Sequence, residues 1–157
     1  MQVSQFKDFI AEKVERENKP IQVAIVTKTN PNLKKRKVGG KEDKELTVEL
    51  INDCCEELNI KCIVIETRNA IITGKDEEKN TLTVFNFDGK DTEHTFIGKD
   101  TICVTRAGAV EDEAGLSIIS AFQNSGSFMI NTRNAMLTCN NKLTSALLFE
   151  KFAIPTP

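Results

Sequence analysis

Histidine is nearly absent from this chain: His94 is the only one in 157 residues, so a multi-histidine metal site is excluded. The five cysteines, Cys54, Cys55, Cys62, Cys103 and Cys139, are odd in number and include no C-x-x-C pair. That pattern argues against a disulfide framework or a zinc knuckle. Cys62 and Cys103 fall inside apolar strand-like runs, where a thiol serves as a small hydrophobe. No apolar run approaches the roughly 20 residues that span a bilayer. The opening MQVSQFKDFI lacks the basic-then-apolar layout of a secretory signal. The expected location is therefore cytoplasmic, with no membrane partner. Neither sign of charge dominates, the net value being −2, so no broad basic field is offered to nucleic acid. Internal repeats and low-complexity tracts are missing as well.

What remains is ordinary globular composition, 39% hydrophobic and 28% charged, at a length that suits one domain. Phe6, Phe9, Ile10 and Val14 predict a helix over 2–18 that stops at Asn18-Lys19-Pro20. IQVAIV (21–26) reads as a first central strand. Residues 27–43 are polar and read as a mobile loop. Leu46, Leu50, Ile51, Cys54 and Leu58 predict a helix over 44–58, capped by Asn59. KCIVIE (61–66) follows, so 21–66 reads as a parallel βαβ unit. Residues 70–73 and 81–87 flank a charged turn at 74–80 and read as an antiparallel hairpin, continued by a strand at 93–97. His94 there is expected to be an ordinary surface residue. TICVT (101–105) is a third central strand. A helix over 112–124 is expected to turn Leu116, Ile119 and Phe122 inward, with Glu111, Asp112 and Glu113 favouring its N-terminus. SFMI (127–130) is a fourth strand, 134–138 a helical turn, and Asn140 or Asn141 caps a last helix with Leu143, Leu147 and Leu148 on one face. The fold class is α/β, with a mostly parallel central sheet, helices on both faces and an antiparallel hairpin insert.

Two stretches could carry chemistry. Arg106 follows the end of a central strand, where open α/β sheets bind ligands, and its guanidinium fork suits a carboxylate or phosphate. The plain alternative is a surface arginine on a loop. Lys34-Lys35-Arg36-Lys37 beside Gly39-Gly40 could close over an anion, but it lacks the Walker pattern, and a solvated loop is the simpler reading.

The segment 127–157, SFMINTRNAMLTCNNKLTSALLFEKFAIPTP, is the informative one. Ile130-Asn131, Asn134-Ala135, Asn141-Lys142-Leu143 and Ala153-Ile154-Pro155-Thr156-Pro157 come in an order that resembles the link between the N-terminal and ATP-binding domains of ATP-grasp ligases. Glutathione synthetase and the ribosomal-protein glutamate ligase are the nearest in character. Val104-Thr105-Arg106-Ala107-Gly108 and Asn30-Pro31-Asn32 are similar to steps in the latter group. The resemblance implies a single pre-ATP-grasp domain over 1–157, with 1–20 as a helical extension. It also implies a Rossmann-like three-layer sandwich that supplies the substrate side of a carboxylate–amine ligase working through an acyl phosphate. ATP and Mg would belong to the full-length enzyme, with none expected on this chain, which would be inactive alone and hold no metal or catalytic residue. Arg106 is implied as the substrate-carboxylate residue and Lys142 as the nucleotide-reaching lysine. The implied partners are the missing ATP-grasp domains, and a homodimer is compatible. A different class stays open: a stand-alone α/β binding module for a small anion or a protein partner.

Overall fold

The computed structural model describes residues 5, 7–12, 21–28, 37–38, 41–42, 46–87, 92–106 and 112–155. Helical residues 7–12 form α1. Strand β1 (Gln22–Thr27), the short pair β2 (Lys37–Val38) and β3 (Lys41–Glu42), and helix α2 (Leu46–Glu57) follow. Next come β4 (Lys61–Glu66), β5 (Ala70–Asp76), β6 (Thr81–Asn86), β7 (Thr92–Ile97) and β8 (Thr101–Thr105). The remainder is α3 (Glu113–Asn124), β9 (Phe128–Ile130), α4 (Arg133–Asn140) and α5 (Lys142–Lys151).

The central sheet is parallel throughout, in the order β4-β1-β8-β9. Both of its faces are covered, which is why its strands read as continuous apolar runs. Alternation along β1 sends Val23 and Ile25 to one face, where Ile10 of α1 and Ile51 and Cys55 of α2 join them. Ala24 and Val26 go to the other face, against Ile118, Ile119 and Phe122 of α3. The structure is thus an α/β fold with helices on both faces of a parallel sheet.

Local chemistry explains the boundaries. Helix α2 ends in a Schellman motif: Asn59 takes φ 53°, its N–H donates to the Glu56 carbonyl at 3.0 Å, and the Ile60 N–H donates to the Cys55 carbonyl at 2.8 Å. Gly126, with φ 83°, closes α3 in the same way. Asp112 caps the start of α3 by accepting the Gly115 N–H at 2.8 Å.

Several expectations are corrected. The insert at 70–97 does not join the central sheet. It is a separate three-stranded antiparallel meander, β5-β6-β7, packed on the α3 face through Leu82, Val84 and Phe96. Those three side chains alternate onto one face of the meander, and burying them against α3 fixes it there. The Phe96 and Phe122 rings meet edge to face, 4.9 Å apart. His94 is half-buried on β7, in register with Val84. The stretch read as loop includes the paired residues of β2 and β3, while 29–36, Gly39-Gly40 and 43 lie outside the described residues. Helix α4 starts at Arg133 rather than 134, since Thr132 accepts the Ala135 N–H and caps it. On α5, Leu148 is half-buried while Leu143 and Leu147 are 70% and 56% exposed, and the helix packs mainly against α4 among the described residues. The outer parts of the 2–18 helix fall outside the described residues.

Candidate functional site

In order of appearance the sheet strands run second, first, third, fourth, so chain direction across the sheet reverses between β1 and β8. The crevice beyond the carboxyl ends of the strands at such a reversal is where doubly wound folds hold ligands. Three residues that follow strand ends meet this edge: Thr67 after β4, Lys28 after β1 and Arg106 after β8. The backbone pins them, the Thr67 N–H donating to the Thr27 carbonyl at 3.0 Å and the Arg106 N–H to the Val26 carbonyl at 2.9 Å. Thr105 closes the neighbouring strand pair: its hydroxyl donates to the Asn131 carbonyl at 2.9 Å and accepts the Asn131 N–H at 3.0 Å.

The two cations of this edge differ in their company. Lys28 Nζ lies 4.0 Å from the Asp112 carboxylate, which also caps α3. Arg106 is half-buried, and its Nε is buried with no hydrogen-bond partner among the described residues. The Thr67 Oγ1 is likewise buried and unpartnered. A buried donor left unmade costs about 1–3 kcal/mol, more when charged. Such orphans at a ligand-binding edge suit an incoming oxyanion, which offers paired acceptors to a guanidinium and another to a hydroxyl. Strand spacing puts Thr67 and Arg106 about 10 Å apart, on either side of β1. The edge therefore suits an extended anion or a pair of anionic groups.

Lys142 is exposed in the first turn of α5, following the cap that Asn141 provides by accepting the Thr144 N–H at 3.0 Å. It lines a shallow groove with Leu137, Thr138 and Asn141, and Arg106 is not among that groove's walls. Ala107, Gly108, Glu111 and the basic run 34–36 lie outside the described residues. Sequence reasoning missed Lys28 and Thr67. The strand-end argument that found Arg106 applies equally to both.

No group of three or more His, Cys, Asp or Glu side chains able to hold a metal occurs among the described residues. Cys103 is fully buried and its thiol is pushed up by desolvation. The Cys62 thiol is pushed up by its hydrogen bond with Cys55 and by burial. These shifts disfavour the thiolate and fit packing roles. No helix among the described residues is long and apolar enough to cross a membrane. No protein-family model and no curated protein matches this chain.

Proposed function

We propose that this chain is the substrate-side domain of an ATP-dependent carboxylate–amine ligase of the ATP-grasp type, holding a substrate carboxylate at Arg106. The observation that carries the reading is the buried, unpartnered Arg106 Nε at the reversal of the parallel sheet. In an acyl-phosphate mechanism a domain of this kind binds and orients the carboxylate while ATP and Mg are held by other domains. Arg106 would anchor one carboxylate of the substrate, with Lys28 adding positive potential and the Thr67 hydroxyl a further hydrogen bond. Lys142 is assigned to the nucleotide on the strength of the family resemblance alone. A cytoplasmic setting fits, since ATP is supplied there and the five cysteines are free thiols.

Helix α5 supports a covering partner. It has no buried residue, and Leu143, Leu147, Phe149, Phe152 and Ile154 around it are all exposed. Grouped apolar side chains left exposed in this way are normally covered by a partner. The same observation favours the second reading, a stand-alone binding module that meets a protein along α5. Kinetics of the protein joined to its ATP-binding domains separates the two. Arg106→Ala should weaken kcat/KM for the carboxylate by roughly 1.5–3 kcal/mol, the value of one charged hydrogen-bond contact. Lys142→Ala should raise KM for ATP. Micromolar binding of Mg-ATP by the isolated 157 residues would overturn the ligase-domain reading.

A further inference from the structure

A second cavity, of about 620 Å³, lies between α3 and the meander. Glu113, Leu116, Ser120 and Asn124 recur along one stripe of α3 and form its long wall. Ile72 and Lys75 of β5 form the opposite wall, and Leu82 contributes to the floor. The stripe covers eleven helical steps, about 16 Å at 1.5 Å each, so the cavity is a trough rather than a round pit. Its two ends differ in charge. Arg133 and Lys75 lie at the end where α3 terminates: the Arg133 N–H donates to the Gln123 Oε1 at 3.3 Å, and Lys75 shares a smaller polar cavity with Asn124 and Ser125. Glu113 stands at the opposite end, in the first turn of α3.

Lys75 already pairs with Glu77 at 2.8 Å. Arg133 is half-buried and meets no carboxylate among the described residues. We infer that this trough binds an elongated amphiphile with an apolar body and a carboxylate at one end. The body lies over Leu82 and Leu116, and the carboxylate meets the Arg133 guanidinium, with Lys75 and Asn124 beside it. Ser120 offers little competition, because its hydroxyl already donates to the Leu116 carbonyl at 2.8 Å. Glu113 repels a second anionic group and so fixes the ligand's direction, favouring a neutral or cationic far end. The volume falls in the range of small-molecule sites, and an apolar floor with a few convergent polar groups is their usual composition.

The test uses the chain itself, phenylbutyrate as probe, and the uncharged phenylbutanol as its control, followed by amide chemical shifts. Phenylbutyrate should shift Leu82, Leu116 and Ala121 saturably at millimolar concentrations or below. It should bind roughly tenfold more tightly than phenylbutanol, as one charged hydrogen bond requires. Arg133→Gln should remove that tenfold preference and leave phenylbutanol unchanged. Ser117→Trp, an exposed change on the trough wall that leaves the core untouched, should abolish binding of both. Arg106→Met should leave the shifts at Leu82, Leu116 and Ala121 unchanged, which keeps this site distinct from the strand-end edge. Equal affinity for acid and alcohol, shifts confined to α5, or an unchanged preference in Arg133→Gln would each overturn the assignment.

Discussion

Replacing Arg106 with methionine should move stability and binding in opposite directions. The arginine is half-buried, with a buried Nε that has no partner among the described residues. In the ligand-free chain that donor carries an unrepaid desolvation cost. Methionine keeps a flexible apolar stem of similar reach and removes the orphan. The main-chain N–H bond to Val26 survives the change, so β8 stays anchored. An unsatisfied donor costs about 1–3 kcal/mol, and partial exposure of the guanidinium puts this case near the lower end. Arg106→Met should therefore raise unfolding free energy by about 1 kcal/mol in urea, with an unchanged slope. The wild-type chain, titrated with a dicarboxylate such as glutarate, should gain about 2.7 kcal/mol at a hundred times its Kd, by mass action on the folded state. The methionine variant should gain almost none. A loss of more than about 1 kcal/mol in the ligand-free variant would show that Arg106 holds the fold together, and the carboxylate role would fall with it.

Three further outcomes follow from the packing. Phe122→Ala should cost about 3–5 kcal/mol, and a double-mutant cycle with Phe96 should show about 0.5–1.5 kcal/mol of coupling, since the rings meet edge to face at 4.9 Å; additivity would mean that the meander does not share the α3 core. Gly98→Ala should cost about 3 kcal/mol or more, because a Cβ there would sit 1.6 Å from the Ser125 carbonyl oxygen and the backbone must shift. This is measurable as a fall in urea midpoint, and a neutral result would refute the contact. Alkylation with iodoacetamide, followed by mass spectrometry, should label exposed Cys139 first and buried Cys103 last, and rapid labelling of Cys103 would contradict its place in the core.

The central sheet was legible because each of its strands announces itself as a short apolar run. IQVAIV, KCIVIE, TICVT and SFMI became β1, β4, β8 and β9 with shifts of a residue at most. Asn59 was legible as a helix end because a left-handed cap favours that residue type. The placement of the meander was not legible. Alternation in 70–97 gives strand pairing and says nothing about which sheet receives the strands. The exposure of Leu143 and Leu147 was hidden for a related reason, since periodicity marks an apolar face without naming what covers it. At the candidate site, strand-end position picked out Arg106, whereas the engagement of Lys28 by Asp112 depends on where α3 begins in space.

The meander also accounts for where the two proposed sites lie. The connection from β4 to β8 passes over β1, and a right-handed crossover must lie on the face opposite α2. In a plain doubly wound fold a helix would fill that place and pack closely beside α3. Here three strands fill it, and only one of their faces can press on the core, through Leu82, Val84 and Phe96. Strand β5, at the edge of the meander, lies along α3 without interlocking with it as a second helix would. The space left between them is the trough that ends at Arg133. The strand-end crevice at Arg106, by contrast, depends only on the reversal of direction at β1 and β8, which the meander leaves intact. One departure from a plain βα alternation thus preserves the crevice expected of the fold and opens a second cavity beside it.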